Sequence, residues 1–288
     1  SIRAGLFANR RPRQLYIGGV KQRSAAELPG VLTTVLFCPE DLLVLKGGSQ
    51  PRRRLLDNAL CQLRPSYASA LTEYHRLLDS KSRILKDYRE KPDLLEPLPE
   101  YNYRLAQVGA ILISHRARYL KALEQAASGY HSAFSAGKET MTLVYRTVST
   151  VTDPFAPPET LCAQLQEHQR SHARAELESA QCLSGPHKDD FEAVINGLPV
   201  AQFASQGQTR TAVISLKLAE RALLRQGTGE TPVLLLDDVL SELDAGRQDF
   251  VLNQLREGQV FITCCETDRL TSLGQVLSIR SGTIGGAQ

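Results

Sequence analysis

The run Pro232-Val233-Leu234-Leu235-Leu236-Asp237-Asp238 decides the fold. Its apolar residues predict a strand buried on both faces, and strands of that kind belong to parallel sheets. Ending such a strand in adjacent carboxylates sets negative charge at the carboxyl edge of the sheet, where open α/β folds bind ligands. That charge needs a partner. One arrangement holds Mg²⁺ through Asp237 and leaves Asp238 to take a proton from an attacking water, as in nucleotide hydrolases. Taken alone, the pair reads equally well as exposed turn residues or a helix cap after a core strand.

The flanking sequence adds context. About thirty residues upstream stands Ala204-Ser205-Gln206-Gly207-Gln208-Thr209-Arg210, followed by a helical stripe of Val213, Leu216, Ala219 and Leu223 that predicts a helix over about 208–225. A glycine-containing turn that opens a helix presents unpaired backbone N–H groups and the positive end of the helix dipole, which suits a phosphate. Ser205 adds a hydroxyl, although a serine cap before a glycine turn is common. Just past the aspartates, Ser241-Glu242-Leu243-Asp244 reads as another capped helix start, for a helix over 246–255 that leads to a strand at Val260–Thr263. Strand, helix and strand with apolar strands predict a buried parallel sheet.

Working outward, Leu15–Val20 (LYIGGV) reads as a hairpin and Val31–Phe37 (VLTTVLF) as a strand stopped by Pro39. Leu55, Leu56, Ala59, Leu60 and Leu63 recur at helical spacing. Pro65 breaks or restarts that helix, and Tyr67 to Leu78 continues the stripe. A proline-rich turn over 91–100 separates this from a second long helix bearing Leu105, Val108, Leu112, Arg116, Tyr119 and Leu123, so 46–135 is expected to form a helical arm. Then come a strand in MTLVYRTV, a polar helix over 161–180, and a hairpin of Phe191–Ile195 and Leu198–Phe203 around Asn196-Gly197. The expected organisation is 1–45 as remainder of an N-terminal lobe, 46–135 as arm and 136–288 as C-terminal lobe.

Composition narrows the class. With 288 residues, 42% hydrophobic and 23% charged, the chain can bury a sizeable core and is neither disordered nor fibrous. Lys and Arg total 34 against 31 Asp and Glu, and a net charge of +3 is too small to imply nucleic-acid binding from bulk charge. Six cysteines show no metal-ligand spacing, which fits a reducing, cytoplasmic setting, and no apolar run is long enough to span a membrane. Since translation starts at Met and the only one is Met141, the chain is expected to be a fragment lacking its N-terminus.

In their order and spacing these pieces resemble the nucleotide-binding head of the ABC-type ATPases that include the SMC proteins. Ser205-Gln206-Gly207-Gln208 is similar to their signature motif, Leu234–Asp238 to the Walker B strand and Ser241–Asp244 to the D-loop. Phe37-Cys38-Pro39-Glu40-Asp41-Leu42, Arg52-Arg53-Arg54-Leu55-Leu56-Asp57, Gln107-Val108-Gly109-Ala110 and above all Gly185-Pro186-His187-Lys188-Asp189-Asp190-Phe191 narrow the resemblance to the bacterial RecF family of DNA repair proteins, over about 14–283.

The resemblance implies an α/β P-loop NTPase head with a helical arm insertion, binding ATP and Mg²⁺. It implies an ATP-dependent homodimer in which the signature residues of one subunit (Ser205, Gln206, Gly207 and Gln208) complete the nucleotide site of the other. Asp237 is implied as the metal ligand, Asp238 as the catalytic base, and Ser241 and Asp244 as D-loop residues. The implied partners are DNA at junctions of single strand and duplex, and the RecR and RecO proteins, with slow, switch-like hydrolysis that assists recombinase loading.

Two features depart from the pattern. The chain contains no GxxxxGK[ST], so the fragment is expected to be inactive alone, and no histidine follows the last long strand in Thr263-Cys264-Cys265-Glu266-Thr267-Asp268. The alternatives are another SMC-like ATPase, against which the short, broken arm argues, or a non-catalytic DNA-binding scaffold with a degenerate head. His187 reads as a surface turn residue and Cys264-Cys265 as packing at a strand end. Three cations in the first turn of a helix oppose its dipole and are costly without an anionic partner, so Arg52, Arg53 and Arg54 read first as a solvated face, with Glu40, Asp41 or Asp57 or a DNA phosphate as the anions that could meet them.

Overall fold

A computed structural model describes residues 1–5, 14–22, 28, 30–255, 257–264, 274–280 and 283–284. Strands β1 (Ile2–Gly5), β2 (Gln14–Ile17) and β3 (Val20–Gln22) pair antiparallel in that order, and the β2–β3 turn is the hairpin expected from LYIGGV. The next strand, β4 (Thr34–Phe37), starts later than Val31, because Val31 and Leu32 lie exposed in the preceding turn. Helices α1 (Ser49–Leu63), α2 (Pro65–Asp87) and α3 (Leu98–Phe134) follow. Pro65 restarts the helix instead of ending it, because its fixed φ and missing N–H suit the first turn of α2.

Strands β5 (Met141–Arg146) and β6 (Asp190–Ile195) flank α4 (Pro158–Ser179) in the chain and pair antiparallel. The second arm of the Asn196-Gly197 hairpin, β7 (Leu198–Pro199), is shorter than expected. Pro199 has no N–H to extend the ladder, and Val200–Phe203 coils into a short helix, α5. Then come α6 (Gln206–Thr228), β8 (Val233–Asp237), α7 (Ala245–Asn253), β9 (Val260–Thr263) and the small pair β10 (Ile279–Arg280) and β11 (Thr283–Ile284).

The central sheet runs β4-β8-β9, all parallel, with Leu36, Leu235 and Phe261 in one register row. Among the described residues only one face of this sheet is covered. Val35, Phe37, Leu234 and Leu236 are buried, sharing a core with Ala212, Val213, Leu216 and Ala219 of α6, whereas on the other face Leu36 is 47% and Phe261 53% exposed. The same core takes in Leu56 and Leu60 of α1, Tyr67 and Tyr74 of α2, and Leu105, Leu112 and Leu123 of α3. The helical arm therefore shares one core with the head, meeting it mainly through α1 and α3. Among the described residues no helix is long and apolar enough to cross a membrane.

The GPHKDDF turn is where arm and head lock. A Cβ at Gly109 would sit 3.1 Å from Pro186 and 3.2 Å from Leu165, so glycine lets α3 approach both the turn and α4. Gly185 has φ +128°, and a Cβ there would collide with the Tyr74 hydroxyl. Arg116, which the helical stripe placed among apolar residues, is a buried cation. It makes two bonds of 2.9 Å to the Asp57 carboxylate, one of 2.7 Å to the Pro186 carbonyl and one of 3.1 Å to Asp189. Burial holds the Asp189 carboxyl above the usual carboxylate range, against the opposing pull of Arg116.

Removing one member of a buried ion network strands the others without a partner. Arg116→Ala is expected to destabilise the chain by about 3–5 kcal/mol, read as a lowered urea midpoint. Arg174→Ala, at a pair with 91% and 63% exposed side chains, should leave the midpoint unchanged.

Candidate nucleotide-binding edge

The register of the parallel sheet sets Asp237 of β8 beside Thr263 of β9. The Thr263 hydroxyl donates to Asp237 Oδ1 at 2.7 Å and accepts the Asp238 N–H at 3.0 Å, so one side chain orients both acidic positions. Asp238 has φ +50°, a left-handed conformation that redirects the chain as it leaves the sheet. Both carboxylates are exposed at this carboxyl edge, open to a metal. Mg²⁺ is commonly held by one or two carboxylates with waters and substrate phosphate, and Asp237 and Asp238 fit that donor set.

Beyond the aspartates, Val239, Leu240 and Leu243 are buried and anchor the turn that carries Ser241, whose hydroxyl donates to the Asp238 carbonyl at 2.7 Å. Asp244 caps α7 by accepting the Arg247 N–H at 3.0 Å, which holds its carboxyl below the usual carboxylate range.

Ser205 caps α6. Its hydroxyl accepts the Gln208 N–H at 3.2 Å while Gln208 Oε1 accepts the Ser205 N–H at 2.9 Å, a reciprocal capping box. The Gln208 amide also donates to Glu139 at 2.8 Å, and Glu139 meets His131 at 2.9 Å. Of the four expected signature residues, Gln208 thus turns its side chain inward. Ser205 and Gln206 are exposed and Gly207 is partly exposed. Arg247 links the motifs by donating to the Gly207 carbonyl at 3.1 Å, to Thr211 Oγ1 at 2.9 Å and to the Asp244 carboxylate. Arg210 and Glu242 form a second bridge at 3.0 Å. The N-terminus of α6, the acidic end of β8 and the 241–244 turn therefore share one edge of the molecule.

Other expected residues lie elsewhere. Arg52 finds neither Glu40, Asp41 nor Asp57: its guanidinium makes bonds of 2.6 and 2.9 Å to the Asp190 carboxylate and further bonds to the Val44 and Gly47 carbonyls. Arg53 donates to Ser49 Oγ and the Asp189 carbonyl, and only Arg54 is exposed. The three acidic neighbours are not all free, because Asp57 holds Arg116 and Asp41 pairs with Lys217.

His187 is not a surface turn residue: its ring nitrogens meet the Tyr74 hydroxyl at 2.7 Å and the Cys182 carbonyl at 2.9 Å. Burial pulls its pKa down to about 4, so it stays neutral there. Cys264 lies just past β9, whereas Cys265, Glu266, Thr267 and Asp268 fall outside the described residues.

Thr263 and Arg247 are the residues ordering this edge that sequence reading missed. The first was recoverable by aligning the ends of the two apolar strands. Arg247 carries only a weak signal, a cation three residues past a helix cap.

No family model matches the chain. The DNA replication and repair protein RecF of Acetivibrio thermocellus is 37% identical over 252 residues, 88% of this chain and 68% of its own length. That of Symbiobacterium thermophilum is 38% identical over 291 residues, 98% of this chain and 76% of its own. The chain spans about two thirds to three quarters of the length of the curated relatives it matches. A solved structure of the recombination mediator protein RecF-ATPrS in the RecFOR pathway superposes with a TM-score of 0.90 at 31% identity, covering 98% of this chain and 75% of that one. The α/β ATPase head with its helical arm is therefore the fold that forms, and by identity and coverage the chain belongs to the RecF family of DNA replication and repair proteins.

Proposed function

We propose that this chain is the signature-bearing part of an ATP-dependent DNA-binding protein of replication and recombinational repair. The observation that carries the reading is the shared edge, where the capped N-terminus of α6, the D-loop and the Asp237-Asp238 strand end stand together in a chain with no phosphate-binding P-loop lysine. The Ser205–Gln208 segment of that edge suits nucleotide held by a second head, so ATP would assemble a homodimer, while the aspartates would serve nucleotide on their own head. Asp237 would hold Mg²⁺ and Asp238 would take the proton of the attacking water. The likeness to structures of RecF-ATPrS and RecF-ATP supports ATP as the nucleotide.

DNA at junctions of single strand and duplex, the RecR and RecO proteins and a cytoplasmic setting belong to the same reading, supported by the RecFOR pathway named for those structures. Of the three arginines opening α1, Arg54 alone presents its cation to solvent for a DNA phosphate.

The 288-residue chain is expected to bind Mg-ATP weakly or not at all, because no lysine-bearing loop is present to hold the β- and γ-phosphates. Addition of a P-loop segment should restore binding. Calorimetry on both proteins checks this, and micromolar affinity in the 288-residue chain alone would overturn the assignment of its edge to a partner's nucleotide. Failure of the extended protein to bind ATP would favour a non-catalytic scaffold.

A further inference from the structure

We propose that Arg247 is a positioning residue that fixes the signature helix and the D-loop as one rigid edge, so that both reach nucleotide on an opposing head together. This role rests on the in-trans reading given above. Four N–H groups of this one residue are engaged. Its backbone N–H donates to Asp244 Oδ1 at 3.0 Å, its Nη1 to the other oxygen of the same carboxylate, its Nη2 to the Gly207 carbonyl at 3.1 Å and its Nε to Thr211 Oγ1 at 2.9 Å.

The planar guanidinium fork makes these bonds mutually dependent. Gly207 and Thr211 lie one helical turn apart on α6, and the Thr211 hydroxyl itself donates to the Gly207 carbonyl at 3.0 Å. A rotation of the first turn of α6 would break both of its links to Arg247 at once. The approach to the signature segment is close: a Cβ at Gly207 would come to 3.0 Å from Arg247 Nη2, and the guanidinium would have to give by a few tenths of an ångström.

The alternative brace is weaker. Arg210 and Glu242 are 36% and 45% exposed, and ion pairs so open to water contribute little rigidity. The Arg247–Asp244 pair is just as open, at 29% and 55%, so what makes Arg247 the brace is its two further bonds, to the Gly207 carbonyl and to Thr211 Oγ1. Misplacing groups that meet nucleotide by an ångström is enough to cost large factors in rate.

The test uses Arg247→Ala and Arg247→Lys. In the full-length protein, Arg247→Ala is expected to keep ATP affinity of the monomer within about twofold while kcat falls about 10²-fold and the ATP-induced dimer weakens. Lysine can still pair with Asp244 but lacks the fork, so Arg247→Lys should recover only a minor part of kcat. In the 288-residue chain, amide hydrogen exchange over 207–211 should quicken in Arg247→Ala.

Exchange needs no nucleotide, so it separates the brace from the reading it rests on. Unchanged exchange overturns the brace whatever the ATPase does. Faster exchange with parental kcat overturns its role in docking, and so does a loss of kcat matched by equal losses of ATP affinity and melting temperature. An intact ATP-induced dimer in Ser205→Arg would instead overturn the in-trans reading.

Discussion

Asp238→Asn in the full-length protein is expected to leave ATP bound and to slow hydrolysis by about 10²–10⁴-fold, the range that a positioned general base supplies. The substitution is well matched to its site. Asp238 sits at φ +50°, a conformation that asparagine tolerates better than most residues, and its backbone N–H keeps its bond to Thr263. Shape is therefore conserved while the base is lost. Asp237→Asn should behave differently. Its Oδ1 can still accept from the Thr263 hydroxyl, but the neutral amide is a poor ligand for a hard cation, so Mg²⁺-dependent ATP binding should weaken. Nucleotide binding titrated against Mg²⁺, beside single-turnover hydrolysis, distinguishes the two variants. Parental hydrolysis in both would remove the acidic strand end from the chemistry.

What the sequence disclosed, and what it withheld, follows the range of the forces involved. The end of β8 was legible because an apolar run closed by two carboxylates is a local pattern, and Ser205 was legible as a cap because the capping box spans only four residues. Periodicity also found α1, α2 and α3. It could not separate burial on one sheet face from burial on two, and Leu36 and Phe261 prove to lie on an open face.

Long-range pairing was hidden altogether. Arg52 meets Asp190 from 138 residues away, and Arg116 read only as one position of a helical stripe until Asp57 and Asp189 stood beside it. His187 read as a loop residue because its neighbours in the chain are polar, yet Tyr74 comes from 113 residues upstream to cover it. The β7 error was of another kind. The Asn-Gly turn was read correctly, but Pro199 should have ended the strand, since it cannot donate to the ladder.

Ser205→Arg tests whether the edge serves its own head or an opposing one. The exposed N-terminus of α6 offers backbone N–H groups and a dipole to an anion, and Ser205 stands where that anion would arrive. Arginine there opposes the dipole, removes the hydroxyl that accepts the Gln208 N–H at 3.2 Å and fills the space of the phosphate. The fold should survive. Losing a cap costs about 1 kcal/mol, the Gln208 side chain can still accept the backbone N–H of residue 205, and Arg247 still grips Gly207 from behind. If nucleotide is held by a second head, the full-length variant should bind one ATP per monomer as before, yet fail to form the ATP-induced dimer and lose most hydrolysis. Sedimentation with and without ATP, run beside a binding titration, decides among the outcomes. A dimer that still forms with ATP removes the edge from the subunit interface, whereas lost binding in the monomer means that Ser205 belongs to its own head's site.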